Sequence, residues 1–154
     1  MKSKHPLLLA TLSFTMAAML TAFALVRQAI GEGWWKVIPI SGLASALVAA
    51  FFWKRLVLAK PSPTTFRRLW VGGLVGLVSH PVTWYFLLLG FYLTGARDSF
   101  GHRTLNPLVA IPASLTYSFW SLALYGWAAI PFGMAVGLAL GIFSRPCKDK
   151  SRPG

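Results

Sequence analysis

Acidic residues are nearly absent from this chain, which carries three of them against 15 lysines and arginines. Glu32, Asp98 and Asp149 all lie outside the long apolar runs. Paired-carboxylate catalysis, a buried carboxylate proton relay and a carboxylate cage for a metal ion all need acidic residues that these runs lack. We therefore expect no catalytic pair and no metal site built from carboxylates.

Cysteine is limited to Cys147. A single thiol excludes a disulfide within the chain and a zinc site that takes several thiolates from one chain. Cys147 follows the last apolar run in a basic tail, where we expect a reduced cytoplasmic thiol; palmitoylation in a eukaryotic host is the alternative. Whether the protein binds a cofactor is unknown from the sequence.

Charged residues make up 12% of the chain, whereas 56% of the residues are hydrophobic. This composition predicts an integral membrane protein. The net charge of +12 does not indicate nucleic-acid binding, because the basic residues flank apolar runs instead of alternating with aromatic residues. We expect anionic lipid headgroups of the bilayer to be their partners.

Four apolar runs are long enough to cross a bilayer, which takes roughly 20 residues. They predict an all-α bundle of four transmembrane helices that forms one domain over residues 1–154. Residues 106–118 contain two prolines and predict an interfacial or re-entrant lead-in to the fourth span, with one long tilted helix as the alternative. The expected spans are about 7–26, 34–53, 69–93 and 119–143.

The distribution of positive charge predicts the orientation. Eleven of the 15 basic residues fall near the two chain ends and in the 54–68 loop. The positive-inside rule then places both termini in the cytoplasm. The first run also resembles a cleavable signal peptide, which is the alternative to a first span. A compact bundle without evident sorting signals favours the inner membrane of a bacterium, as a multi-pass protein.

His80 is the one histidine within an apolar run, and Pro81 follows it. Ionisable side chains are costly at this depth, so they are either satisfied by a neighbouring helix or used in function. Both interpretations stay open. A neutral imidazole can tie two helices together, and it can also bind a proton, a polar ligand or a metal ion. A metal is the least expected of these, because no second ligand lies near in the sequence.

Depth along the helices predicts which residues surround His80. His80 and Pro131 each lie 12 residues, or about 18 Å, from the inner ends of antiparallel spans. We therefore expect the third and fourth helices to face each other there and to enclose a ligand-binding cavity near the bilayer midplane. Its predicted lining residues are His80, Thr83, Trp84, Ser121, Tyr125 and Trp127.

The outer loop is a second, weaker candidate site. Arg97, His102 and Arg103 could bind a phosphate or a carboxylate group there, and a solvated turn is the alternative.

Small residues recur every four positions, which is typical of close helix packing. Gly133, Gly137 and Gly141 form such a row in the fourth run, and Gly72 and Gly76 form one in the third. We favour packing within the chain, with contact between copies in a homo-oligomer as the alternative.

No motif in the sequence names a reaction, so three functions remain as hypotheses. We expect first a non-enzymatic binding protein or accessory subunit, with a membrane-protein partner or a small ligand held in the bundle. The alternative is a small oligomeric transporter or channel lined by His80 and Pro81. A membrane enzyme acting on lipid or lipid-linked phosphate through Arg97, His102 and Arg103 is third.

Overall fold

The computed structural model describes residues 5–27, 34–60, 63–97 and 104–143, without the side chains of residues 25, 26, 34 and 143. Of these residues 89% are helical, and none forms a strand. A 3-10 turn leads into the second helix, and a π-helical segment, Trp53–Leu58, continues it. The α-helices are α1 (Pro6–Val26), α2 (Val37–Phe52), α3 (Thr65–Leu93) and α4 (Pro107–Phe143).

Each of the four helices is long and apolar enough to cross a membrane, when α2 is counted together with its π-helical continuation. The prediction of an all-α membrane protein with four spans is therefore confirmed. The third helix begins four residues before the predicted span, at Thr65. Its start is set by Thr64, whose side chain accepts a hydrogen bond of 3.2 Å from the backbone N–H of Arg67.

The fourth helix runs without a break over 37 residues, a length of about 56 Å. Asn106 caps it by accepting a 2.9 Å hydrogen bond from the backbone N–H of Val109. Pro107 occupies the first helical position, where no N–H is needed, and Pro112 removes one later hydrogen bond without ending the helix. A re-entrant lead-in needs a turn before Phe119, and residues 107–118 are helical instead, as in the alternative of one long helix.

The helices form a ring in which each packs against its neighbour in the chain and α1 closes against α4. The contact between α3 and α4 is the most extensive. It depends on glycine, because a Cβ atom on Gly72 would collide with the carbonyl oxygen of Gly133. A Cβ atom on Gly133 would in turn lie 2.5 Å from the carbonyl oxygen of Gly72. The glycine rows therefore pack within the chain.

The hydrophobic core occupies the half of the bundle nearer the α2–α3 connection. All four helices contribute to it, and Leu140 is the contribution of α4. The rings of Phe14 and Trp53 meet edge-on there, with their centroids 5.8 Å apart. Val71 and Val75 of α3 are each 1% exposed, so this half of the bundle is tightly packed. We call it the inner half.

Two arginines close the inner end of the bundle. The Nη1 atom of Arg68 donates a 2.6 Å hydrogen bond to the carbonyl oxygen of Gly141, in the last turn of α4. The Nε atom of Arg67 donates to the carbonyl oxygen of Leu56, in the π-helical segment. Carbonyls at helix ends lack partners within their own helix, and these guanidinium groups supply them. The arginines thereby tie α3 to both neighbouring helices.

Candidate ligand-binding cavity

A cavity of about 670 Å³ lies between the four helices in the other, outer half of the bundle. Phe14 and Val75 belong both to its wall and to the hydrophobic core, so the core forms its floor. The volume falls within the roughly 300–1,000 Å³ range of small-molecule sites in proteins. Position and size together make this cavity the candidate functional site.

The sequence explains why the outer half is open. Glycine contacts hold α3 and α4 together, but α1 and α2 present small side chains to the centre of the bundle. These side chains are too short to meet the opposite wall, and the space between them stays free. The small lining residues of α1 and α2 are Ala17, Ala18, Thr21, Ala22, Ser41 and Ser45.

His80 lies in the cavity wall and is held by the opposite helix. Its Nδ1 atom is 2.9 Å from the Oγ atom of Ser121, and both residues line the cavity. Ser121 also donates a hydrogen bond of 3.2 Å to the carbonyl oxygen of Ser118. A serine hydroxyl has one hydrogen to donate. When Ser121 gives that hydrogen to Ser118, it can only accept from His80, which places the imidazole proton on Nδ1.

The other ring nitrogen of His80 is available to a ligand. With the proton on Nδ1, the neutral ring carries a lone pair on Nε2. Nε2 makes no hydrogen bond within the described part of the chain, where no fully buried polar side-chain atom lacks a partner. Nε2 is therefore not fully enclosed by protein atoms, and His80 lines the cavity. With this tautomer the site offers Nε2 as a hydrogen-bond acceptor, and the contact between Nδ1 and Ser121 holds the ring in place.

The serine and threonine hydroxyl groups nearest His80 each have a hydrogen-bond acceptor within their own helix. Thr83 donates to the carbonyl oxygen of Ser79 at 2.7 Å, and Ser79 donates to that of Val75 at 2.6 Å. Ser41 of α2 donates to the carbonyl oxygen of Ile38 at 2.8 Å. With these hydrogens donated within their own helices, the hydroxyl oxygens are left as acceptors. The remaining wall is mainly apolar and aromatic.

Aromatic rings form the outer wall of the cavity. Trp84 of α3 stacks on Tyr117 of α4, with centroids 5.1 Å apart and an angle of 28° between the rings. Trp120 and Leu124 also line the cavity, yet they are 62% and 60% exposed. They therefore border its opening along α4. An opening at this place faces the surroundings of a membrane-spanning helix.

Five of the six residues predicted to line the cavity do so: His80, Thr83, Trp84, Ser121 and Tyr125. The sixth, Trp127, does not. Trp127 is 76% exposed, and its indole N–H donates a 2.8 Å hydrogen bond to the carbonyl oxygen of Leu124. Trp127 therefore points away from the site.

The relative register of α3 and α4 explains this difference. The sequence predicted equal depth for Arg68 and Phe143, but a Cβ atom on Gly137 would meet the carbonyl oxygen of Arg68. The two helices are thus offset by about six residues, or roughly 9 Å, from the prediction. His80 consequently lies level with Tyr125 and not with Pro131, and its side chain contacts Ser121, one helical turn before Tyr125 on α4.

The sequence did not predict the part of the wall that α1 and α2 supply. It also did not predict two wall residues of α4, Tyr117 and Trp120. Tyr117 could have been found, because it precedes Ser121 by four residues and so lies on the same face of α4. The alanines of α1 carry no comparable signal, since nothing in their chemistry distinguishes a cavity wall from a packed interface.

The proposed anion site in the outer loop is described only at one residue. Arg97 is exposed and has a bonding partner, while His102 and Arg103 lie outside the described residues. Within the described ranges, no three potential metal ligands come together.

Comparison of the chain with protein-family models, with curated proteins and with solved structures finds no match in any of the three. Its function is therefore inferred from the cavity.

Proposed function

We propose that this protein is a non-enzymatic membrane protein that binds a small, largely apolar molecule in the cavity between its helices. The observation that carries the proposal is the His80–Ser121 hydrogen bond at the wall of a 670 Å³ cavity. Small-molecule sites are mostly apolar, with a few placed polar groups that orient the ligand. His80 is such a group, and the aromatic and aliphatic wall supplies the rest.

The opening of the cavity supports an apolar ligand that arrives through the bilayer. Trp120 and Leu124 border the opening on α4, a helix of membrane-spanning length. A molecule that partitions into the hydrocarbon region can reach this opening without crossing water. The same role suits an accessory subunit that holds a lipid-like molecule within a larger membrane complex.

Binding is better supported than conduction. A channel needs a continuous path that ions or polar solutes can follow. The described cavity ends at Phe14 and Val75, and the tightly packed inner half lies beneath them. The enzyme hypothesis rests on Arg97, His102 and Arg103, of which the last two lie outside the described residues.

Filling the cavity should displace the ligand. Ala18 lines the cavity, so we expect Ala18→Phe to place a ring in the ligand's volume. Ala24, on the same helix, is exposed and does not line the cavity, which makes Ala24→Phe the matched control. The measurement is extraction and mass spectrometry of small molecules that co-purify with each variant. We expect a stoichiometric molecule with the wild type and Ala24→Phe, reduced about tenfold or more in Ala18→Phe.

Equal recovery of that molecule from Ala18→Phe and Ala24→Phe, with both variants folded, would show that it binds elsewhere. Recovery of only bulk membrane lipids from the wild type, in their bulk proportions, would contradict a dedicated ligand.

We further propose that the 54–68 loop and both termini are cytoplasmic and that the membrane is a bacterial inner membrane. The bias of basic residues toward these segments supports this orientation. In a Cys147→Ser background, a membrane-impermeant thiol reagent should label Ser99→Cys in intact cells and should label Ser62→Cys only after lysis. The reverse pattern would invert the topology, and the inner-membrane fraction should contain the protein.

A further inference from the structure

We propose that the ligand is a phenol with an apolar tail and that its hydroxyl group donates a hydrogen bond to Nε2 of His80. This inference rests on the proposed function, since it names the chemical class of the molecule that the cavity binds. Two features of the wall support it: the direction of the hydrogen bonds behind His80, and the aromatic rings beside it.

A chain of serines on α4 favours one direction for the hydrogen bond between Ser121 and His80. Ser118 is 4% exposed and donates a 2.5 Å hydrogen bond to the carbonyl oxygen of Ser114. Ser121 lies 3.2 Å from the carbonyl oxygen of Ser118, and when it donates there it accepts from Nδ1 of His80. If the imidazole proton were on Nε2, Ser121 would have to donate to Nδ1 and give up its hydrogen bond to Ser118. The arrangement therefore favours a ligand that donates over one that only accepts.

The aromatic residues of the wall favour a ligand that carries an aromatic ring next to its donor group. Trp84 lies one helical turn beyond His80 on α3 and stacks on Tyr117, while Tyr125 lines the cavity one turn from Ser121. Aromatic rings attract one another in offset or edge-on arrangements with centroids 4.5–7 Å apart. A phenol combines the two features, because its hydroxyl group is attached directly to an aromatic ring. The alanines of α1 then leave room for an apolar tail.

Two probes that differ in one hydrogen-bond donor test the inference. The phenol 4-hexylphenol can donate to Nε2, whereas its methyl ether, 4-hexylanisole, can only accept. Binding to the protein in lipid nanodiscs is followed through tryptophan fluorescence, because Trp84 and Trp120 line the cavity. Ala18→Phe gives the background from partition into lipid. We expect 4-hexylphenol to bind about tenfold tighter or more, because the ether leaves Nε2 unpaired.

Ser121 acts here as a positioning residue, and its removal has a distinct signature. In Ser121→Ala the imidazole is no longer fixed with its proton on Nδ1, so the preference for the phenol should fall by about tenfold. Binding of the ether should stay within about twofold. Thr116→Ala removes an exposed hydroxyl of α4 that does not line the cavity, and it should keep the full preference.

The outcomes separate this inference from the proposed function. Equal binding of the two probes, or tighter binding of the ether, overturns the phenol assignment but leaves a ligand-binding cavity that Ala18→Phe blocks. Failure of both probes, with a co-purifying molecule still lost in Ala18→Phe, also overturns only the assignment. Failure of both probes together with no co-purifying molecule overturns both.

Discussion

Gly137→Leu should prevent the bundle from assembling, whereas Gly90→Leu should leave it folded. At Gly137 a Cβ atom would collide with the carbonyl oxygen of Arg68 and lie 3.3 Å from the Cα atom of Gly72. Both are backbone atoms, so relief requires α3 and α4 to separate. We expect a loss of about 3 kcal/mol or more, at the upper end for overpacked positions.

Gly90 is the matched control because a Cβ atom there would meet nothing within 4 Å. The measurement is the yield of folded, monodisperse protein in mild detergent, together with its thermal unfolding. Similar yields for Gly137→Leu and Gly90→Leu would contradict the close contact between α3 and α4. As a second comparison, Leu138→Ala should lower the folded yield and the unfolding temperature only mildly, since it removes side-chain volume without forcing the helices apart.

His80→Leu should leave the protein folded and weaken ligand binding strongly. The substitution breaks the bond to Ser121, but Ser121 keeps its own acceptor, the carbonyl oxygen of Ser118. The expected loss of stability is therefore small, about 1 kcal/mol, as for a typical hydrogen bond. The ligand loses its polar partner, and we expect its affinity to fall about tenfold to a hundredfold.

The readouts for His80→Leu are thermal unfolding of the variant and recovery of the co-purifying molecule. A purely structural tie between α3 and α4 predicts the opposite pattern. In that case most of the variant fails to fold, and whatever remains folded binds the ligand as the wild type does.

The architecture could be predicted because each span has a distinctive composition in the sequence. Long uncharged runs bounded by basic residues predicted four helices, and the rows of glycines predicted close helix packing, which the structure shows between α3 and α4. Element ends were harder to predict. Prolines at 107 and 112 indicated a break before the fourth span, whereas the first stands at a helix start and the second is tolerated within the helix.

The site could be predicted only where polar chemistry marked it. His80 and Ser121 stand out in apolar runs, and the structure brings them within 2.9 Å of each other. The offset of about six residues between α3 and α4 could not be predicted, because depth was counted from loop ends and the helices do not end at equal heights. That offset brings Tyr117 into the wall and leaves Trp127 outside. The alanine wall of α1 has no chemical signal at all.

The most direct test of the central claim is a high-resolution structure of the protein purified with its native membrane lipids. We predict density for one molecule in the cavity between the four helices, with a polar atom within about 2.7–3.2 Å of Nε2 of His80. A cavity filled by repacked side chains, or an imidazole turned toward lipid with no partner on either nitrogen, would contradict a ligand site at His80.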